Sequence, residues 1–248
     1  MDFIVAVPAR LHSSRLKEKL MYVINNRTIL HITLSKISNV FKKDIIYVFC
    51  DDIILYNETI NHGYNAIMVE DECTNGTQRI CKGLKILENK LQFENVLIIH
   101  ADQPLLEEEN IKNLMHFWNN GPKDINTMYT LHTKCNEYNN KSIAKIALVP
   151  KTGKWLYISR QDIPTNNDYM YKHFGLCMFS KTLLENYYTL KDGFLQLGED
   201  NEWLKLLENN YTIVSKEIEY HDTDLNTPKD LMYIETVLEK NIYYNNDK

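Results

Sequence analysis

An apolar run from Phe3 to Val7, closed by Pro8 and followed at once by a basic loop, limits what this chain can fold into more than any other stretch of its 248 residues. Consecutive apolar residues without alternation are what a parallel strand buried on both faces presents. Proline cannot donate to a ladder, so Pro8 marks the rim of a sheet. The loop beyond it carries Arg10, Arg15, Lys17 and Lys19 with Ser13 and Ser14 between them. A strand, a basic loop and a helix in that order are how open α/β sheets offer a phosphate site at the carboxyl ends of their strands. A solvated surface loop is the plain alternative, because neither a Walker motif nor a GxGxxG fingerprint sharpens the signal.

The chain then keeps alternating. Helical spacing over residues 28–37 and an apolar run over 45–50 that ends in Asp51 and Asp52 complete a βαβ unit. A short strand is expected over 64–69, then a polar loop opening a helix over 77–91 with Thr77 as its cap; backbone N–H groups at such a helix start face outward toward a ligand. The strand 95–99 is strongly apolar and delivers His100, Ala101, Asp102, Gln103 and Pro104 to the same edge. A helix over 107–118 follows. From residue 126 the pattern turns to longer alternating segments with a turn at Gly153, which reads as an inserted antiparallel region over 126–180. Helices over 181–190 and 201–208, a strand over 211–220 and a final helix capped by Thr227, with Pro228 in its first turn, complete the chain, the tail after residue 240 being frayed.

Composition removes several classes of function. A formal charge of -5 argues against a nucleic-acid coat, which needs a basic face. Five scattered cysteines, Cys50, Cys73, Cys81, Cys135 and Cys177, have neither disulfide-framework nor zinc spacing and suit a reducing cytoplasm. No apolar stretch approaches the roughly 18 residues of a membrane span, so neither export nor anchoring is expected.

VPARLHSSRL with Lys19, NGTQR, ADQPLL, KIAL, LYISRQDIP, HFGL, EWLKLLENN and NTPKDL occur in the order, and nearly at the spacing, of the 3-deoxy-manno-octulosonate cytidylyltransferases, the CMP-Kdo synthetases, which the chain resembles over almost its whole length. The resemblance implies one α/β domain with a mixed, mostly parallel, Rossmann-like nucleotidyltransferase sheet, and a homodimer made partly by the inserted segment. It implies attack of the anomeric hydroxyl of a 3-deoxy-2-keto sugar acid on the α-phosphorus of CTP, with Mg²⁺ as cofactor and pyrophosphate leaving.

Residue by residue, the resemblance assigns Arg15, Lys19 and Asp102 to catalysis. Pro8, Ala9, Arg10, Ser13, Ser14, Arg15, Lys19, Asn75, Gly76, Thr77, Arg79 and His100 fall to the nucleotide. Nucleotidyl transfer is chiefly positioning and charge neutralisation, so fixed cations around a triphosphate are what it needs. His100, Arg160, His173, Cys177, Glu202 and Trp203 fall to the acidic sugar, a guanidinium being suited to grip a carboxylate bidentately.

Several positions depart from the pattern. Lys17-Glu18 and Leu20 replace a Pro-Gly pair and a proline around Lys19, Asn75 replaces a serine and Gln78 an acidic residue. Asn226 stands at the second metal aspartate, a neutral and weaker ligand for a hard cation, with Asp222 and Asp224 on the same face of an extended segment as candidates to compensate. His100, Cys177 and Trp203 replace a glutamine, a tyrosine and a glutamine, which changes the donor and acceptor set offered to the sugar. Two alternatives stay open: a glycosyltransferase-like enzyme, which would want a DxD after the central strand, and an inactive relative that still binds nucleotide.

Overall fold

The computed structural model describes residues 2–13, 16–87, 90–121, 124–133, 140–141, 143–219 and 224–246. They form an α/β fold with a central mixed sheet and group into two compact units, one of Ile4–Lys90, Ile99–Ile111 and His221–Lys248, the other of Met1–Phe3, Leu91–Ile98 and Lys112–Tyr220.

In the first unit the apolar run forms β1 (Phe3–Ala9), whose Ile4, Val5, Ala6 and Val7 are fully buried. Pro8 lies inside the strand, one residue short of its end. After a 3-10 turn over Lys19–Met21 comes a small hairpin, β2 (Val23–Ile24) and β3 (Arg27–Thr28). Asn25 and Asn26 turn it at φ 51° and 59°, which asparagine tolerates far better than most residues. This hairpin lies where only an unbroken loop is expected. Helix α1 (Ile29–Ser38) is capped by Thr28, whose hydroxyl accepts from the His31 N–H at 3.1 Å. Next come β4 (Ile46–Cys50), α2 (Ile53–Asn61) capped by Asp52, β5 (Asn65–Met68) and α3 (Gly76–Leu87). The order β5-β4-β1 is parallel throughout, with Val5 opposite Ile46 and Tyr47 opposite Asn65.

The cap of α3 corrects the expectation of Thr77. Asn75 Oδ1 accepts from the Gln78 N–H at 2.8 Å and Gln78 Oε1 accepts from the Thr74 N–H at 3.0 Å, while Thr77 is buried inside the helix. Asparagine is the better cap, and a glutamine three residues on completes a capping-box-like exchange.

The second unit opens with most of β6 (Asn95–Ile99) and continues through α4 (Glu108–Asn120), β7 (Ile125–Thr133), β8 (Lys145–Val149), β9 (Lys154–Ser159) and β10 (Tyr169–Ser180). Helices α5 (Lys181–Asn186), α6 (Phe194–Glu199) and α7 (Glu202–Glu208) precede β11 (Ile213–Glu217). The strand order is β6-β10-β7-β11-β9-β8. β7 runs parallel to β11 but antiparallel to β10, and β9 is antiparallel to both β8 and β11. Parallel pairing therefore dominates the first unit only, and the region 126–180 is antiparallel as expected from its alternation. The β10–β7 register breaks between Phe174 and Cys177, where Phe174 faces Met128 and Cys177 faces Thr127. The Thr127 hydroxyl fills that break with contacts to the carbonyls of Leu176 at 2.9 Å and Phe174 at 3.4 Å.

The chain ends in α8 (Pro228–Asn246), which continues well past residue 240 where a frayed tail is expected. Helices α2 and α6 are also additions to the sequence reading.

Gly153, at φ +69°, turns β8 into β9. A Cβ there would stand 1.9 Å from the Ser215 carbonyl oxygen, an oxygen that cannot move because Ser215 belongs to β11. Gly198, within α6, has nothing within 4 Å of its own Cβ position. Gly153→Ala is expected to cost about 3 kcal/mol or more, from backbone strain and overpacking together. Gly198→Ala is expected to add about 0.5–1 kcal/mol by helix propensity. Urea denaturation of both variants checks the pair.

Candidate functional site

In the first unit the loop after β1 is anchored by Lys19. Its Nζ bonds Asp102 Oδ2 and the Leu225 carbonyl, the latter at 2.8 Å, and the Leu225 N–H donates to the Asp102 carbonyl at 2.9 Å. The loop after β1, the loop after β6 and the approach to α8 are thereby closed into one ring of contacts. Burial acts to raise the pKa of Asp102, but the Lys19 ammonium, then His100, then the hydrogen bond from Lys19 outweigh it and hold the carboxyl below its ordinary range. His100, half-buried at the end of β6, thus belongs to the same electrostatic cluster. Glu18, immediately before Lys19, sits at φ 51° and ψ 29°, a left-handed conformation that glycine adopts without strain. Arg10 and Lys17 are exposed and Ser13 is half-buried. Ser14 and Arg15 lie outside the described residues.

A second lock joins the β1 loop to α3. Asp51 accepts from the Leu11 N–H at 2.9 Å through one oxygen and from Arg79 Nη2 at 3.0 Å through the other. Arg79 is only 4% exposed, so its guanidinium organises the loops from beneath rather than reaching outward. Pro8 comes within 3.3 Å of where a Gly76 Cβ would stand, which sets the rim of β1 against the start of α3. Pro8, Ala9, Asn75, Gly76, Thr77 and Arg79 are therefore brought together. Asp51 was legible only as a strand end; nothing in its sequence context marks it as the acceptor of this lock.

On the metal side, Asp102 and Asn226 lie on the two segments joined through Leu225. Asp224 is engaged by Gln103, whose Nε2 donates to its Oδ1 at 3.0 Å. Asp230 Oδ2 accepts from the N–H groups of Asn226 at 3.0 Å and Thr227 at 2.7 Å, and Thr227 Oγ1 accepts from the Asp230 N–H at 3.3 Å, so Thr227 caps α8 as expected. Asp222 lies outside the described residues. Among those described, no three His, Cys, Asp or Glu side chains form a preformed metal cage.

The sugar-side candidates other than His100 belong to the second unit. Arg160 Nη1 donates to the Lys141 carbonyl at 3.2 Å just after β9. His173 lies edge-on to Trp155 and Trp203, with ring centroids 5.3 and 4.8 Å away, and its Nε2 is 3.2 Å from Thr127 Oγ1. Trp203, 7% exposed, also stacks on Phe179 at 5.7 Å. Cys177 is buried, and burial first, then the charge of Glu202, pushes its thiol well above the ordinary range, so it stays neutral. The geometry gives Cys177 and Trp203 packing roles, and His173 the satisfied contacts of a structural histidine at the edge of that aromatic cluster. Sequence reasoning missed Lys145, a charged residue in an otherwise apolar strand and fully buried; that mismatch was the available signal.

A family model described as cytidylyltransferase matches residues 4–248. The 3-deoxy-manno-octulosonate cytidylyltransferase of Thermodesulfovibrio yellowstonii is 29% identical over 252 residues, spanning 96% of this chain and 98% of that protein. The 3-deoxy-manno-octulosonate cytidylyltransferase 2 of Hydrogenovibrio crunogenus is 30% identical over 245 residues, spanning 96% and 98%. Among solved structures, a CMP:2-keto-3-deoxy-manno-octonic acid synthetase complexed with CTP superposes at a TM-score of 0.86 with 20% identity, over 97% of this chain and 100% of that one. HddC from Yersinia pseudotuberculosis superposes at 0.71 with 14% identity, over 96% and 100%. At those identities the two structures speak to the fold alone.

Asp51→Ala would leave the Arg79 guanidinium buried without its carboxylate and the Leu11 N–H without its acceptor. A loss of about 1–3 kcal/mol is expected, read as a lowered urea midpoint; an unchanged midpoint would mean that the lock does not hold the loops.

Proposed function

The chain belongs to the cytidylyltransferase family, and we propose that it activates a 2-keto-3-deoxy sugar acid, 3-deoxy-manno-octulosonate or a variant of it, with CTP to give the CMP-sugar and pyrophosphate. The observation that carries this reading is the anchored Lys19: a half-buried ammonium held by one carboxylate and one carbonyl at the head of the basic loop, in a chain similar to such enzymes over nearly its full length. In the transfer the anomeric hydroxyl gives up its proton to solvent, its oxygen bonds to the α-phosphorus, and the bond to the pyrophosphate oxygen breaks. Negative charge grows on the leaving group, and a cation fixed in advance stabilises that charge without reorganising. Lys19 fills that role and Arg15 is the second cation the family pattern assigns to it, with the α3 start, Asn75 through Thr77, facing the nucleotide.

Magnesium suits the donors present. It is ordinarily held by one or two carboxylates together with substrate phosphates, and Asp102 supplies a carboxylate while Asn226 supplies an amide oxygen. Asp224, already bonded to Gln103, is the reserve ligand. When bound, the ion would neutralise triphosphate charge. On the sugar side Arg160 is the group for the carboxylate. Leu131, Leu156 and Tyr169, all exposed on the strands of the region 126–180, support a homodimer formed there; light scattering should then give twice the chain mass of 29.3 kDa. The free thiols of Cys50, Cys73, Cys81 and Cys177 support a cytoplasmic setting. Among the described residues, no helix is long and apolar enough to cross a membrane.

The test is pyrophosphate release from CTP and Mg²⁺ across a panel of 2-keto-3-deoxy sugar acids. Turnover with at least one of them is expected, and Lys19→Ala should lower kcat by about 10²-fold or more while changing the KM for the sugar far less. Silence across the panel with CTP still bound would favour the inactive relative, to which Asn226 lends its weight.

A further inference from the structure

Lys145 opens β8 with its side chain wholly removed from solvent. An ammonium in such a place costs several kcal/mol unless acceptors surround it. Here they do: Nζ donates to the carbonyls of Asn140 at 2.6 Å and Arg160 at 3.0 Å, and lies 3.4 Å from Asp162 Oδ1. An ammonium has three protons to donate, and these acceptors belong to two segments, the one entering β8 and the one leaving β9. Across the ladder Lys145 stands directly opposite Ser159, the residue before Arg160. Ser159 is itself fixed, since its Oγ donates to Glu199 Oε2 at 2.7 Å and accepts from the Gln161 N–H at 3.0 Å. The segment from Ser159 to Asp162 is thus gripped at every residue, and the side chain it carries between those grips is Arg160, whose Nη1 reaches the Lys141 carbonyl.

Stability alone does not call for a lysine here, because replacing a buried charged group and its partner with well-packed apolar residues is often neutral or stabilising. What the ammonium provides that an apolar side chain cannot is directional hold on the Arg160 carbonyl. We propose that Lys145 is a positioning residue of the reaction: it fixes the backbone from which Arg160 presents its guanidinium to the substrate carboxylate. This rests on the reading of Arg160 as the contact for the sugar acid. A planar two-pronged donor matches a carboxylate only in one orientation, so a small displacement of its root is enough to weaken it.

The experiment measures pyrophosphate release with CTP and whichever 2-keto-3-deoxy sugar acid of the panel wild type turns over best, for wild type, Lys145→Met, Arg160→Ala, the double variant, and Asp162→Asn. The last keeps the shape of the buried partner while removing its charge, and so stands in should Lys145→Met not fold. Lys145→Met is expected to raise the KM for the sugar acid on the order of 10- to 100-fold with the KM for CTP unchanged, and Asp162→Asn to move the same constant in the same direction by less. In the Arg160→Ala background Lys145→Met should add little, because the group it positions is gone. Equal changes in both KM values, or effects of Lys145→Met and Arg160→Ala that simply multiply, would overturn the positioning role while leaving the reaction intact. A wild-type chain that releases no pyrophosphate with any acid of the panel would remove the sugar-acid reading itself, and the role of Lys145 with it.

Discussion

A single ammonium group joins parts of the chain 83 and 206 residues apart. Lys19 bonds the carboxylate of Asp102 and the carbonyl of Leu225, and Leu225 returns a hydrogen bond to the Asp102 main chain. Each corner of this ring restrains the other two. Without the ring, these loop segments would retain much of the conformational freedom that costs roughly 1–2 kcal/mol per residue to remove. Half-buried charges also interact more strongly than they would in water, so the contact is both a fastening and a reserve of positive potential at the sheet rim.

The two units use charge in opposite ways. In the first, the carboxylates of Asp51 and Asp102 keep some access to solvent. In the second, Lys145 is withdrawn completely and answered by the nearly buried Asp162, whereas Lys205 is answered by an exposed Asp192. Withdrawn pairs define geometry but do not readily trade partners. The surroundings of Arg160 therefore have the character of a mount, and those of Lys19 the character of a contact that can exchange.

What the residues revealed in advance follows from how local the underlying physics is. β6 was legible to its ends because an apolar run bounded by polar residues has one reading. The hairpin at Asn25 and Asn26 was not, since its evidence is a tolerance for positive φ rather than a preference for a strand. Helix α2 escaped because Ile53 and Ile54 stand beside each other and are exposed, at 58% and 47%, so no apolar stripe announces the helix. Lys19 and Asp102 were each legible as candidates, but their contact depends on how distant segments return to one edge. Glu18 shows a subtler limit. Its replacement of the expected glycine reads as a loss of rigidity, whereas the chain keeps the left-handed turn and accepts about 1–2 kcal/mol of backbone strain there.

The break in register between β10 and β7 governs how this protein tolerates changes in length. Three residue steps on β10 are matched by one on β7, so the surplus is even. Side chains alternate with a period of two along a strand, and an even surplus leaves Cys177 through Ser180 facing as they would in an uninterrupted strand. Loss of one residue from this short stretch would turn that whole end over, sending buried Met178 and Phe179 to the opposite faces. Loss of two would merely straighten it. The facing of the strand's end thus survives the loss of a pair of residues and is reversed by the loss of one.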